Sequence, residues 1–147
     1  MVRFREAARA DVPFVVSLLR DDMLGRCREV APDASYLAAF DEMMRMPANR
    51  LIVGELSGQI AASYQVTIIP GVSLGAARRA QIEGVRVASD FRGQGIGEAL
   101  LADVEARARN AGAVLLQLTM NRTRDDALRF YRRAGFEASH VGFKKQL

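Results

Sequence analysis

The sequence predicts a mixed α/β domain of three layers with a mostly antiparallel central sheet. Three observations predict it. Two strand-like runs flank Ser57-Gly58 in mid-chain, a hairpin signal. Apolar residues recur at helical spacing before that hairpin and again well after it. Between Gln81 and Met120 a strand-like run, a glycine-rich turn, a helix and a further strand follow one another. Helices interleaved with strands in this way bury their apolar stripes against a shared sheet.

Val2, Phe4 and their neighbours read as a short first strand. Asp11 is placed to cap a helix starting with Val12 and Pro13, whose apolar positions are Val12, Val15, Val16, Leu19 and Met23. Gly25 and the charged stretch after it end that helix. A second helix runs from about Ser35 to Met46, with Asp33 as cap, Leu37, Phe40 and Met44 as inner stripe and Pro47 as stop. Leu51 to Leu56 and Gln59 to Ile69 are the hairpin strands. Pro70-Gly71 breaks the second of them, and Val72 to Ala80 is a polar loop.

The strand Gln81 to Ala88 alternates only in part. Ile82, Val85 and Val87 are apolar, and Gly84 interrupts the rhythm as at a bulge or a close backbone approach. Helix Gly97 to Ala111 places Leu100, Leu101, Val104 and Ala108 on one face and Asp103, Glu105, Arg107 and Arg109 on the other, with Gly112 as its stop. Val114 to Met120 is a dense, central strand. Thr123 caps the last helix with Asp126 three residues on, Ala127, Phe130, Tyr131 and Ala134 face inward, and Gly135 ends it. Phe136 to Ser139 and Val141 to Lys144 are terminal strand segments.

A chain of 147 residues is expected to form one domain, residues 1–147, that buries about two-thirds of its unfolded surface. The net charge of +4 gives a modest positive field that suits an anionic cofactor. The basic residues are scattered and not interleaved with aromatics, so no nucleic-acid platform is expected. Cys27 and His140 are the sole cysteine and histidine, which excludes an intrachain disulfide and a His/Cys-rich metal site; no metal is expected. Met1 to Arg9 lacks the apolar stretch of a signal peptide, and no run is long enough to span a bilayer. The expected location is the cytoplasm, with no membrane partner.

The turn Arg92-Gly93-Gln94-Gly95-Ile96-Gly97 joins the Gln81 strand to the helix after it. Glycines on alternate positions leave backbone N–H groups bare, and the helix N-terminus adds its positive end. That is the chemistry of a phosphate cradle. The third glycine falls one residue early for a dinucleotide fingerprint, and the loop lies late in the chain. No Gly-Lys-Ser/Thr run makes it a nucleotide-hydrolysing loop, and no G-x-S-x-G elbow supports a hydrolase.

These residues resemble the GNAT superfamily of acetyl-coenzyme A-dependent N-acetyltransferases. Arg92, Gly95 and Gly97 fill its Arg/Gln-x-x-Gly-x-Gly/Ala motif between strand and helix. Asn121, Ala127 and Phe130-Tyr131-Arg132-Arg133-Ala134-Gly135-Phe136 look like its Asn…Ala…Phe-Tyr-x-x-x-Gly-Phe block. The resemblance implies that the strands on either side of the motif splay apart at the cofactor site. Backbone groups of Val85 and Val87 would then meet the pantetheine of acetyl-coenzyme A, and the turn Arg92, Gly93, Gln94, Gly95, Ile96, Gly97 would cradle its pyrophosphate. Arg92 would add charge or brace the turn.

The resemblance also implies direct transfer to a primary amine. Tyr131 matches the tyrosine near the coenzyme sulfur, and a phenol can protonate the departing thiolate. Glu83 sits where the family often has a glutamate base; its other readings are a solvated residue, an anchor for Arg78 or Arg86, or an amine-ordering group beside a water chain. Asn121 is placed to hold pantetheine or a water, or to cap a turn. An N–H near Val85 would stabilise the oxyanion. His140 has no orienting acid nearby, Cys27 reads as a core filler, and Met43, Met44 and Met46 lie on the segment that walls the acceptor pocket in the family.

Glu29, Asp33, Asp41 and Glu42 can attract an amine, whereas Arg26, Arg28, Arg78 and Arg79 can hold a carboxylate or phosphate. Both signs together point to a small metabolite or amino acid-like acceptor. The alternatives are a protein or peptide acceptor, or a non-catalytic acyl-coenzyme A sensor. The family also implies a homodimer, here through Phe136, Val141 and Phe143 on a late strand.

Overall fold

Ser57 and Gly58 both take positive φ (52° and 78°), the left-handed pair that closes a two-residue hairpin between β2 (Asn49–Leu56) and β3 (Gln59–Ile69). The computed structural model describes all 147 residues apart from the side chain of Met23, so that position of the predicted stripe lies outside the described residues. β1 (Arg3–Glu6) pairs antiparallel with β2, and β3 pairs antiparallel with β4 (Arg79–Val87). β5 (Leu115–Leu118) completes the order β1-β2-β3-β4-β5. The Val114 N–H donates to the Arg78 carbonyl at 2.9 Å, and Gln117 Nε2 donates to Gln81 Oε1 at 2.8 Å. Both contacts join residues 36 apart, so the two chains advance together and β5 runs parallel to β4. The sheet is therefore mixed and mostly antiparallel. β5 stands at the end of the strand order rather than at its centre, a correction to the sequence reading.

Alternation along the strands sorts two faces. Ile52, Tyr64, Val66 and Ile82 are buried on one, where Tyr64 donates to Asp103 of α5 (Ile96–Asn110) at 2.5 Å. Leu100, Leu101, Val104 and Ala108 of α5 are buried as predicted. Asp103 was assigned to the polar face. It instead holds the Tyr64 hydroxyl and Arg107 (2.7 Å), because a buried phenol needs an acceptor. Val53 faces the other way, in a cluster with Ala7, Val12, Val15, Val16 and Phe40 under α1 (Val12–Arg20) and α3 (Asp33–Met44).

The first helical region departs most from expectation. α1 stops at Arg20, and α2 (Met23–Arg28) starts anew with the Asp22 carboxylate accepting the Gly25 N–H at 2.6 Å. Gly25 is thus a helix residue and not a stop; a Cβ there would lie 1.8 Å from the Leu19 carbonyl oxygen. Asp11 precedes α1, but its carboxylate reaches back to the Ala8 N–H (2.7 Å) and to Arg5 Nη1 (2.6 Å), closing the 3-10 turn Arg9–Asp11. α3 begins at Asp33 itself, after Pro32, and ends before Met46; Met43 rather than Met44 joins its inner stripe. Between β3 and β4 lies a single turn, α4 (Ser73–Ala76), with Leu74, Gly75 and Ala76 all at positive φ. Gly112, at φ 75°, ends α5 through Gly112 N–H to Arg109 and Ala113 N–H to Ala108, the paired bonds of a Schellman cap.

The chain forms two compact units, Met1–Gln117 and Leu118–Leu147. The second contains α6 (Asp125–Arg133), entered through Arg124 with no side-chain cap, so the predicted Thr123–Asp126 box is absent. Thr123 instead donates to Asn121. Ala134, expected to face inward, is exposed. Phe136 to Ser139 and Val141 to Lys144 form no strand: β-propensity makes a strand only where a ladder partner satisfies its backbone. Among the described residues no helix is long and apolar enough to cross a membrane.

Candidate active site

β4 bends where the site begins. Ser63 pairs with Arg86 and Gln65 with Glu83, so Tyr64 alone opposes both Gly84 and Val85. This is the bulge that Gly84 signalled, and its φ of 59° costs least without a Cβ. β5 ends at Leu118, level with Ile82 in the parallel register. Strand pairing on that edge of β4 therefore stops where the bulge starts, and among the described residues Glu83, Arg86 and Val87 pair only with β3. An edge of this kind can accept an extended ligand by strand addition. The Val85 carbonyl accepts from Arg86 Nη1 (2.8 Å) and the Val87 carbonyl from Arg92 Nε (3.1 Å), each with a second lone pair left.

The turn after β4 is open. Gly93 and Gly95 sit at φ 73° and 77°, and a Cβ on either would meet nothing within 4 Å. Gly95 is the N-cap of α5, and the Ala99 N–H to Gly95 carbonyl bond (3.1 Å) is the first of the helix. The N–H groups of Ile96, Gly97 and Glu98 precede it, at the positive end of a 15-residue helix. Gln94 Nε2 donates to the Asp90 carbonyl at 3.0 Å, and the Ile96 side chain is buried beneath the turn. Both contacts anchor the turn. Arg92 braces it: besides Val87, it donates to the Asp21 carbonyl (3.2 Å) and carboxylate (3.4 Å), while Asp21 also takes the Ser89 N–H (2.9 Å).

Glu83 is exposed, and among the described residues its carboxylate has no hydrogen bond or ion pair. The alternative role as an arginine anchor is not realised, because Arg86 pairs with Asp22 (3.3 Å) and Arg78 Nη1 donates to the Ala111 carbonyl (2.8 Å). The sheet face around Glu83 is polar. Gln65 and Thr67 both donate to Asn49 Oδ1 (2.9 and 3.2 Å), and Gln81 is joined to Gln117.

In the second unit, Asn121 Oδ1 accepts the Thr123 N–H (3.0 Å) and hydroxyl (2.8 Å), and its carbonyl accepts the Arg124 N–H (3.0 Å). Asn121 is thus the turn cap that leads into α6, and only its NH2 is left for a ligand. Tyr131 is half-buried between Phe130 and Phe136, with ring centroids 5.2 and 5.6 Å away. Gly135, at φ 87°, sends its N–H to Arg132, and Phe136 sends its N–H to Tyr131 (3.0 Å). This Schellman cap, with its apolar contact between Phe136 and Tyr131, is the physical content of the Phe-Tyr-x-x-x-Gly-Phe block. His140 is exposed beside Ser139 (2.8 Å), and Cys27, read as a core filler, is exposed on α2.

Residues 14–136 match the Acetyltransferase (GNAT) family. The chain belongs to that family. An aminoalkylphosphonate N-acetyltransferase of Salmonella typhimurium is 40% identical over 94 residues, 64% of this chain and 58% of that protein. The matched stretch thus spans little more than half the length of that relative. The crystal structure of a transcriptional regulator from Bacillus halodurans C-125 is 43% identical and superposes with a TM-score of 0.95, covering 100% of both chains. An acetyltransferase from Trypanosoma brucei is 26% identical with a TM-score of 0.80, again over 100% of each chain.

The GNAT match runs through both units. Within this GNAT sheet, sequence reasoning missed Asn49, Gln65, Thr67, Gln81 and Gln117. The available signal was alternation: Gln65 and Thr67 flank buried Val66, and Gln81 and Glu83 flank buried Ile82. Polar residues at period two beside buried ones mark the second face of the sheet, opposite the one that packs on α5.

Proposed function

We propose that this protein is an N-acetyltransferase that moves the acetyl group of acetyl-coenzyme A to the primary amine of a small molecule by direct transfer. One observation carries the reading: an anion-accepting turn, an open bulged strand edge and an unpaired carboxylate follow one another along residues 83–97 of a GNAT chain. The turn Arg92 to Gly97 holds the pyrophosphate on its N–H groups, and Val85 and Val87 line the pantetheine with backbone. Glu83 takes the proton of the incoming amine. The nitrogen then attacks the thioester carbonyl, a C–N bond forms and the C–S bond breaks. A strand N–H near Val85 stabilises the oxyanion, Tyr131 gives its proton to the leaving thiolate and is restored by the second proton that the amide nitrogen sheds, and the Asn121 NH2 donates to the bound coenzyme. The activity of the Salmonella relative, an aminoalkylphosphonate N-acetyltransferase, supports a small amine bearing a phosphonate.

The matched span supports one GNAT domain over 1–147. A lone free thiol supports the cytoplasm as its location. A homodimer through the C-terminal segment belongs to the same reading, with Val141 and Phe143 as its exposed apolar residues; Phe136 packs on Tyr131 and is not available. The name of the Bacillus relative favours a second reading, a coenzyme-binding regulator without turnover.

Thiol release from acetyl-coenzyme A in the presence of an amine panel, with product masses, separates the two. Amine-dependent release with an acetylated product is expected. Tyr131→Phe is expected to bind coenzyme normally and to lose about 100-fold in kcat. Tight coenzyme binding without turnover on any amine would favour the regulator.

A further inference from the structure

The first unit ties down most of its arginines. Arg5 pairs with Asp11 and Glu55, Arg9 with Asp41, and Arg50 with Glu6. Of the four arginines that the sequence offered for an acidic group on the acceptor, Arg78 is held by the Ala111 carbonyl and Arg28 by that of Leu24. Arg26 is exposed on α2. Arg79 is different. It is half-buried at the start of β4, and among the described residues nothing accepts a hydrogen bond from it or pairs with its charge. A cation that gives up part of its hydration without gaining a partner is unfavourable for the fold alone.

Its position says what the partner is. Arg79, Gln81 and Glu83 alternate with the buried Ala80 and Ile82, so the free cation and the free carboxylate stand on one face of one strand. Their Cα atoms are four residues apart, about 13 Å along the strand, and both side chains are long enough to lean inward. Gln81, held by Gln117, lies between them. Gly71 leaves bare backbone beside the guanidinium: a Cβ there would stand 3.9 Å from Arg79 Nη2.

We infer that Arg79 is the specificity residue for the acceptor, binding through its guanidinium fork the phosphonate of a short aminoalkyl substrate whose amine lies at Glu83. The inference rests on the acetyltransferase reading and extends it. A planar fork donates two parallel hydrogen bonds to a tetrahedral oxyanion, whereas a lysine offers a point charge. The opposite charges of Arg79 and Glu83 match the zwitterion end for end, and the single strand fixes their spacing.

The test measures binding and turnover of 2-aminoethylphosphonate, its carboxylate analogue β-alanine and the uncharged control ethylamine. Proteins compared are the wild type, Arg79→Gln, Arg79→Lys and, as a control outside the site, Arg109→Gln, whose exposed side chain pairs with Glu105 on α5. Arg79→Gln is expected to raise both Kd and KM for 2-aminoethylphosphonate about 50-fold, with kcat within about threefold and ethylamine kinetics unchanged. Arg79→Lys should recover part of the loss and Arg109→Gln should behave as wild type. Coenzyme binding unchanged in Arg79→Gln shows that the variant is folded. Phosphonate-amine binding that is indifferent to Arg79, an equal loss for ethylamine, or tighter binding of β-alanine than of the phosphonate would overturn the inference. Should wild type acetylate no amine, the functional reading fails, yet the titration still decides the site: phosphonate binding lost in Arg79→Gln sustains it, and no binding by wild type sinks it.

Discussion

Before the bulge at Gly84, β4 carries Arg79 and Glu83, which no other described residue neutralises; after it, Arg86 is paired with Asp22 and Arg92 with Asp21. The chain thus presents bare charges before a single backbone kink in β4 and clamped charges after it. The clamped side leads into the glycine turn, where side chains brace and where, in the proposed reading, the backbone N–H groups bind the anion. A bound anion there is met by fixed dipoles that cost no reorganisation. The bare side faces small polar groups and can take a ligand of changing charge. On this proposal, cofactor and acceptor are served by different physics a few residues apart.

If that contrast is right, the largest loss follows from the bare side. Glu83→Gln is expected to lower kcat about 1,000-fold while leaving coenzyme affinity unchanged. Steady-state rates beside calorimetric coenzyme titration check it, and equal losses in both would erase the distinction between the two halves. Next is the turn. Gly95→Val puts a β-branched side chain at φ 77° and into the space the anion enters, and should raise the coenzyme Kd about 100-fold.

A paired charge remote from both halves should matter for stability alone. The Asp11 carboxylate is held below its ordinary pKa, first by the hydrogen bond from Arg5. Its stabilisation is therefore present above the unfolded carboxylate pKa of about 3.9 and lost as pH falls through the depressed folded value. Asp11→Asn should cost about 2 kcal/mol in urea unfolding at pH 7, with the gap to wild type closing below about pH 4. Acetyl transfer per folded molecule should not change. The smallest effect belongs to Arg92→Gln. Because Arg92 is engaged by Val87 and Asp21, its loss should raise the coenzyme Kd by less than about tenfold. A loss as large as that of Gly95→Val would make the arginine, and not the backbone, the cofactor's main contact.

Much of the fold was legible where local chemistry is decisive. Ser57-Gly58 closes its hairpin, Gly84 makes its bulge and Gly112 ends its helix, because positive φ favours glycine and a two-residue turn dictates its own register. The apolar stripe of α5 is where periodicity put it. Misreadings fell where a partner outside the window decides. Asp11 looked like a cap and serves Arg5 and Ala8, and Asp103 looked solvated and holds Tyr64. Gly25 looked like a stop and is a close approach of α2 to Leu19. The C-terminal segments had strand-like composition but no ladder partner.

By itself the sequence determined the family motif, the alternate glycines of the cradle and the residue types able to move a proton. These are local properties: φ at a glycine, the donor at a helix N-terminus, the acid in a carboxyl or phenol. Only the tertiary structure decided which charges remain available. Arg78 and Arg79 are neighbours of identical chemistry, and one turns to the Ala111 carbonyl while the other has no partner among the described residues. Pairing depends on what the chain brings across space, and alternation along a strand sends adjacent side chains to opposite faces.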